Sequence, residues 1–316
     1  MSFRGAARAF PALWSCLLAA LAPAVATPAT LKLATWNMEW FLTPGAFKAL
    51  KRNCTRDEAG HRWNPRSIPC DVAADLERSA TDIAGMKRVA ERLAADVVAV
   101  EEVDGAVAAA QVFRGYDFCF TGGREVQNTG FAIRRGLPYR CGPDLMALSL
   151  GDQLRRGATL VLYPGSRHEL HLLAVHLKSG CARAPLESAA RACERLARQA
   201  PALREWIEAQ RRAGHRYAVL GDFNRDLQAE HGAGLWAQLG GGGPDAPLVN
   251  TADGERFRNC YAGQTHTGYI DYILLGTTLA SALQRGSFER LTYSPADAWR
   301  LKLSDHCPVA VRLRLD

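Results

Sequence analysis

The chain has 316 residues, 48% of them hydrophobic and 22% charged, with a formal net charge of +7. That length can bury a sizeable core, and the composition excludes a disordered, fibrous or collagen-like chain. The positive balance favours acidic partners or substrates without selecting one.

The first element in chain order is an export signal. Arg4 and Arg8 form a basic start, residues 12–21 a short apolar run, and Ala24-Val25-Ala26 a small-residue cleavage site. Residues 1–26 therefore read as a signal peptide cut after Ala26, and residues 27–316 as one exported domain, secreted or periplasmic. A membrane anchor is the competing reading, but residues 12–25 are short for a bilayer and Pro23 interrupts them. A lipoprotein signal at Cys16 would leave a very short apolar run and place the bulky Trp14 just before the cleavage point. No later stretch is long and apolar enough to span a membrane, and nothing implies a protein partner, so a monomer is expected.

Strand and helix patterns then alternate. Residues 31–36 (LKLATW) alternate apolar and polar like a strand. Residues 44–70 form a basic insert, with Lys48, Lys51, Arg52, Arg56, Arg62 and Arg66 against Asp57 and Glu58. Over residues 75–95, Leu76, Ile83, Met86, Val89 and Leu93 recur at helical spacing, which predicts one amphipathic helix. Residues 96–100 (DVVAV) predict a buried strand, followed by strands at 130–134, 159–163 and 170–176. Residues 186–212 predict a helix with Leu186, Cys193, Leu196, Leu203, Trp206 and Ile207 inward, and Pro201 either starts a second helix there or kinks the first. Strands at 217–220, 270–275, 288–293 and 309–313 close the series, with a flexible glycine loop at 240–244.

Removal of the signal takes Cys16 and leaves eight cysteines. An even count in an exported chain predicts disulfides, although eight cysteines allow about 105 connectivities. The expected pairing joins neighbours in sequence: 54–70, 119–141, 181–193 and 260–307. A zinc site is the rival reading, and neither a C-x-x-C pair nor a cysteine–histidine cluster of zinc spacing supports it.

The chemistry-bearing residues lie at or just beyond strand ends, where a rigid sheet fixes polar groups that loops present. They are Asn37; Glu101 and Glu102; His176 and Lys178; Asp222 and Asn224 in GDFN; Asp271 in YIDYI; and Ser304-Asp305-His306. Singly, Asn37, Asp222 and Asn224 could be turn formers, Lys178 a solvated charge and His176 a structural histidine. Asp271 is flanked by Ile270, Tyr272 and Ile273, so it would be buried and need a partner. Together these are hard oxygen ligands, amides and two histidines, a set suited to holding Mg²⁺, gripping a phosphate and activating water.

The segments ATWNMEWF, DVVAVEEV, HLKSG, GDFN, YIDYILL and SDHCPVAV resemble, in order, the motifs of the endonuclease/exonuclease/phosphatase family, from about residue 31 to the C-terminus. The resemblance implies an α/β fold: a four-layer α/β/β/α sandwich of two packed mixed β-sheets flanked by helices. It also implies hydrolysis of phosphate esters with Mg²⁺, or Mn²⁺ or Ca²⁺, as cofactor. Glu102 would be the main metal ligand, assisted by Asn37, with Asp305 near the metal. Asp222 and Asn224 would orient phosphate and attacking water. His306, paired with Asp271, would act as general base or phosphate contact, and His176 would stabilise charge or protonate the leaving oxygen. One departure is Glu101, where the family has Gln; it either tunes metal affinity or faces away along the strand, and the pleat favours the second.

Among phosphate esters, nucleic acid is the expected substrate, DNA first and RNA also open. The insert starts seven residues after Asn37, and Lys48, Lys51 and Arg52, with Lys178 beside His176, are the candidate contacts to a polyanion backbone. A solvated loop is the plainer reading of the insert. The alternative enzyme is a phosphatase or a sphingomyelinase-type phospholipase, although no apolar hairpin for entering a bilayer is evident. A catalytically inactive binding protein on the same fold is the further alternative.

Overall fold

The computed structural model describes residues 1–2, 30–56, 64–243, 247–264 and 267–315. The expected signal and its cleavage site, Arg62 of the insert and Pro244 of the glycine loop lie outside them.

Twelve strands among the described residues form two six-stranded sheets. The first contains β1 (Thr30–Phe41), β2 (Val97–Val103), β3 (Tyr116–Phe120), β4 (Asn128–Arg134), β11 (Glu289–Arg290) and β12 (Val309–Arg314), in the order β11-β12-β1-β2-β4-β3. The second contains β5 (Tyr139–Cys141), β6 (Ala158–Leu162), β7 (Leu170–His176), β8 (Arg216–Asp222), β9 (Leu248–Asn250) and β10 (Asp271–Gly276), in the order β5-β6-β7-β8-β10-β9. Each sheet is antiparallel except for a central parallel pair, β1 with β2 and β7 with β8.

Strand alternation sorts the side chains into layers. Leu31 and Leu33 of β1 and Val97 and Ala99 of β2 meet Leu172, Ala174, Ala218 and Leu220 of the other sheet in the inter-sheet core. The opposite faces carry helices. Ala34, Trp36 and Val98 pack against Met86, Val89 and Leu93 of helix α3 (Ala80–Leu93), which follows α1 (Pro44–Lys51) and α2 (Cys70–Asp75). Leu173 and Val219 pack against Leu196, Leu203 and Ile207 of α4 (Arg191–Arg212). The four-layer α/β/β/α sandwich of two packed mixed sheets is therefore the observed fold.

Some boundaries moved. The helix expected over 75–95 spans Ala80–Leu93, because Ser79 caps its start: the Ser79 hydroxyl accepts from the Asp82 amide while the Asp82 carboxylate accepts from the Ser79 amide. The helix expected from residue 186 starts at Arg191 and continues through Pro201 without a second start. The strand expected over 288–293 shrinks to Glu289–Arg290, while β3, β5 and β9 lacked the alternation that would have announced them.

Four disulfides join Cys54 to Cys70, Cys119 to Cys141, Cys181 to Cys193 and Cys260 to Cys307, the sequence-neighbour pairing. They fasten what lies near the strand ends. The first closes the basic insert, the second links β3 to β5 across the two sheets, and the third ties the loop after β7 to α4. The fourth holds the residue next to His306.

Candidate active site

Both parallel pairs end at the same edge of the sandwich, and each contributes one carboxylate. In the first sheet Asn37 lies within β1, which continues past the expected end at residue 36 to Phe41, at the point where its register with β2 shifts. Glu102 lies at the end of β2. In the second, His176 and Asp222 are register partners at the ends of β7 and β8. Asn37 joins the two sheets: its side-chain nitrogen donates to Glu102 Oε1 at 3.2 Å and to Asp222 Oδ2 at 3.1 Å. His176 Nε2 lies 3.6 Å from Glu102 Oε1 and 3.5 Å from Asp222 Oδ2.

Alternation alone would send Glu102 to the α3 face with Val98 and Val100. Instead Glu102 adopts φ 59°, and the β2–β4 register shifts between Val100 and Val103. A bulge of this kind re-aims a side chain. Glu39 (φ 50°), Trp40 (φ 48°) and Asn224 (φ 53°) share the left-handed conformation that residues with a side chain seldom adopt, so strained backbone is concentrated here. Hydrogen bonds hold it: the Glu39 amide donates to Asn37 Oδ1 at 2.9 Å, and the Trp40 amide to Glu102 Oε2 at 3.0 Å. Gly221 of GDFN is required by packing, because a Cβ there would sit 1.9 Å from the Val175 carbonyl oxygen.

The remaining residues close in from β10 and the loop before β12. His306 Nδ1 lies 2.9 Å from both oxygens of the buried Asp271, and its Nε2 lies 3.9 Å from Asp222 Oδ2. Ser304 sets that loop by donating to the Asn37 carbonyl at 2.7 Å and accepting from the His306 amide at 3.0 Å. Asn224 Nδ2 donates to Asp222 Oδ2 at 2.9 Å, and its amide to Asp222 Oδ1 at 2.7 Å. Asp305 sits at the rim, its side chain 44% exposed and its Oδ1 3.9 Å from His306 Nε2, with its backbone amide donating to Glu39 Oε2.

Burial and crowding set the charges. Desolvation and the neighbouring Asp271 push the Asp222 carboxyl up to about 7, against the opposing pull of His306. Burial lowers the His176 imidazole well below its usual value, helped by Arg155 and His306, so it is neutral. Burial also opposes the His306 cation, but Asp271 and Asp222 outweigh it and raise this imidazole well above its usual range. The two histidines thus approach the same Asp222 oxygen in opposite protonation states.

Glu101 does not face away. Following Val97 and Ala99, it points between the sheets, fully buried, with the Thr35 hydroxyl donating to it at 3.1 Å. Burial, Asp271 and Asp222 hold its carboxyl well above the usual range, so it is a neutral acid under the cluster. The expectation failed because β2 keeps its pleat through Glu101 and breaks it at Glu102. Sequence reasoning also missed Glu39, pushed up to about 8 by burial and Asp305, and its ion partner Arg78 at 3.3 Å. The positive φ at Glu39 has no sequence signal, and Arg78 resembles an ordinary surface charge until the fold buries it.

Beside the cluster lies a groove of about 940 Å³ between the bridged insert and the 151–155 loop. Trp40, Arg56, Arg155, Lys178 and Arg195 line it, with Asp71 and Glu125. Arg155 is half-buried and close enough to Glu102 and Asp222 to feel their charge. Lys178 is therefore at the groove, whereas Lys48, Lys51 and Arg52 do not line it. Lys51 instead pairs with Glu77 at 2.8 Å.

A family model described as the endonuclease/exonuclease/phosphatase family matches residues 34–306. The chain belongs to that family. Solved structures of the same fold include D. rerio TDP2 complexed with a single-strand DNA product, at 16% identity and TM-score 0.57, covering 90% of this chain and 99% of that one. The AP endonuclease LMAP from Leishmania major aligns at 17% identity and TM-score 0.55, covering 90% and 88%. A family protein from Bacteroides thetaiotaomicron aligns at 13% identity and TM-score 0.55, covering 92% and 100%. No curated protein matches the chain.

Proposed function

We propose that this family member is an exported, divalent-metal-dependent phosphodiesterase that cuts nucleic acid, DNA first, by in-line attack of water. The observation that carries this reading is the meeting of the His306–Asp271 pair, the neutral His176 and the acidic cluster at one edge of the sandwich.

Metal dependence is supported by the donor set. The carboxyl groups of Glu101, Glu102, Asp222 and Asp271 converge against His306 and Arg155, and Asp222, Asp271 and His306 each offer a ligand atom within 4.8 Å of the others. Such crowding suits a hard divalent cation, Mg²⁺ above all. Glu102 and Asn37 would hold it, with Asp305 nearby, and it would neutralise charge on the phosphate oxygens. The chain's own groups do the rest. Asp222, steered by Asn37 and Asn224, orients the attacking water and takes its proton. His306, kept cationic by Asp271, donates from Nε2 to a phosphate oxygen as charge builds there. His176, neutral and opposite, donates toward the leaving oxygen.

The groove supports a nucleic-acid substrate, because Arg56, Arg155, Lys178 and Arg195 can follow a phosphate backbone while Trp40 offers a ring for a base. Lys48, Lys51 and Arg52, which do not line the groove, would meet a longer polyanion only beyond it. The single-strand DNA product held by the similar TDP2 fold agrees with this substrate class. Export is supported by the four disulfides. Among the described residues, no helix is long and apolar enough to cross a membrane.

The test is a parallel assay with Mg²⁺ on plasmid DNA, single-stranded DNA, sphingomyelin and a simple phosphomonoester. Cleavage of the nucleic acids at the highest kcat/KM is the expected result. Preferential hydrolysis of sphingomyelin or the monoester would replace the reading with a phospholipase or phosphatase.

A further inference from the structure

At the opposite edge of the second sheet lies a second cluster that the hydrolytic site does not use. Strands β7 and β8 run parallel, with Leu170 beside Arg216 at their starts and His176 beside Asp222 at their ends. Glu169 immediately precedes β7 and His215 immediately precedes β8. His171 points to the α4 side of the sheet, because Leu170 and Leu172 fill the inter-sheet core. The three residues therefore gather where the last turn of α4 passes into β8.

Glu169, His171 and His215 are each half-buried, and each offers one ligand atom within 4.8 Å of the others. Glu169 Oε1 lies 2.8 Å from His171 Nε2, while Glu169 Oε2 accepts the Gly165 amide, which fixes the carboxylate. The two imidazoles lie face to face, their centroids 3.9 Å apart and their planes 7° from parallel. Gln210 Oε1 lies 2.8 Å from His215 Nδ1. An amide oxygen only accepts, so His215 carries its proton on Nδ1 and presents a lone pair on Nε2. An outer partner that fixes the tautomer in this way is a recurring feature of metal-bound histidine.

We propose that Glu169, His171 and His215 form a second metal site, remote from the hydrolytic cluster, for a borderline divalent cation of the Zn²⁺ type. Two imidazoles and one carboxylate are zinc or copper donors, whereas Mg²⁺ and Ca²⁺ take oxygen sets. Binding requires one ring to turn about its Cβ–Cγ bond, so that the lone pairs meet at one point. With Zn–N bonds of about 2.0–2.1 Å, the ligand atoms would close to roughly 3.3 Å from one another. Because the residues are half-buried, water can supply a fourth ligand. The ion would fasten the start of β7 to the α4–β8 corner, so its role is structural.

The full chain, stripped with chelator, would be dialysed against limiting Zn²⁺ in excess Mg²⁺, and bound zinc measured by atomic emission. The parent should retain one more equivalent of zinc than the His171→Ala/His215→Ala double variant, and zinc should raise its Tm by an increment that the variant lacks. Gln210→Ala, which leaves all three ligands in place, should weaken zinc binding by roughly 10–100-fold. Far-UV circular dichroism checks that the variants fold; should the double variant fail, Glu169→Gln is put through the same zinc measurements. Equal zinc content in parent and a folded ligand variant would overturn the site and leave a stacked histidine pair.

Discussion

In chelated protein, Glu39→Gln should remove part of the stability loss that accompanies rising pH. The Glu39 carboxyl is raised from 4.5 to about 8 by burial first and then by Asp305, with Glu102 adding and Arg78 opposing. The folded value lies above the unfolded one, so this group's contribution to stability is complete below about pH 4.5 and is lost as pH rises to about 8. At about 1.36 kcal/mol per pH unit, the gap sets a ceiling of about 5 kcal/mol. The side chain is 22% exposed, and its neighbours can relax, which brings the expected share to on the order of 2 kcal/mol. Gln retains an oxygen that can accept from the Asp305 amide and from Arg78, so the local geometry should survive. In a chain of this size that share corresponds to roughly 3 °C in Tm. Thermal unfolding in chelator from pH 5 to pH 8.5 is the assay. Parent and variant should lie close together near pH 5, diverge steadily as pH rises towards about 8 with the variant higher, and run parallel beyond that. Parallel curves across the whole range would refute the charge crowding assigned to this edge.

The catalytic assignments give sharper losses. His306→Ala and His176→Ala should each lower turnover at least about a hundredfold, and Asp271→Asn by less, since it acts through His306. Undiminished steady-state turnover in either histidine variant would sink the two-histidine account. Replacing Arg56 and Arg195 together by Gln should raise KM for duplex DNA and flatten its salt dependence, the log–log slope falling by about 0.9 for each phosphate the protein no longer neutralises. A small phosphodiester should be hydrolysed as before. The Lys48, Lys51 and Arg52 triple change to Gln is read the same way, and salt dependence like the parent's would remove those three from the substrate path.

The fold was legible because both kinds of information that specify it lie in short segments. The inward alternation of Leu31 and Leu33 marks β1, and the helical spacing of Met86, Val89 and Leu93 marks α3, so the layers could be expected. The site residues were legible for a related reason: polar groups such as His176 and Asp222 stand where apolar strands end, and His306 stands just before one begins. Glu101 and Glu102 show where that logic stops. They are adjacent and chemically alike, and a backbone bulge decides which one reaches the cluster and which one is buried beneath it. Nothing in the local sequence fixes a bulge that depends on two neighbouring strands. The cations behave similarly. Lys48, Lys51 and Arg52 are conspicuous as a run, yet the groove is lined by Arg56 and Arg195, brought together by the 54–70 bridge and by α4. Glu39 and Arg78 became visible only as an ion pair, with Arg78 buried and Glu39 half-buried, joining β1 to the loop ahead of α3.

The most direct measurement is cleavage of DNA by the chelated protein before and after Mg²⁺ is restored, for the parent and for Glu102→Ala. Glu102 takes the Asn37 amide nitrogen and the Trp40 backbone amide on its two oxygens, at the seam where the sheets meet. The account predicts no cleavage in chelator, recovery of the parent with Mg²⁺, and loss of most activity in a folded Glu102→Ala protein at every Mg²⁺ concentration. Cleavage that persists in chelator, or a Glu102→Ala protein that cuts DNA like the parent, would contradict it.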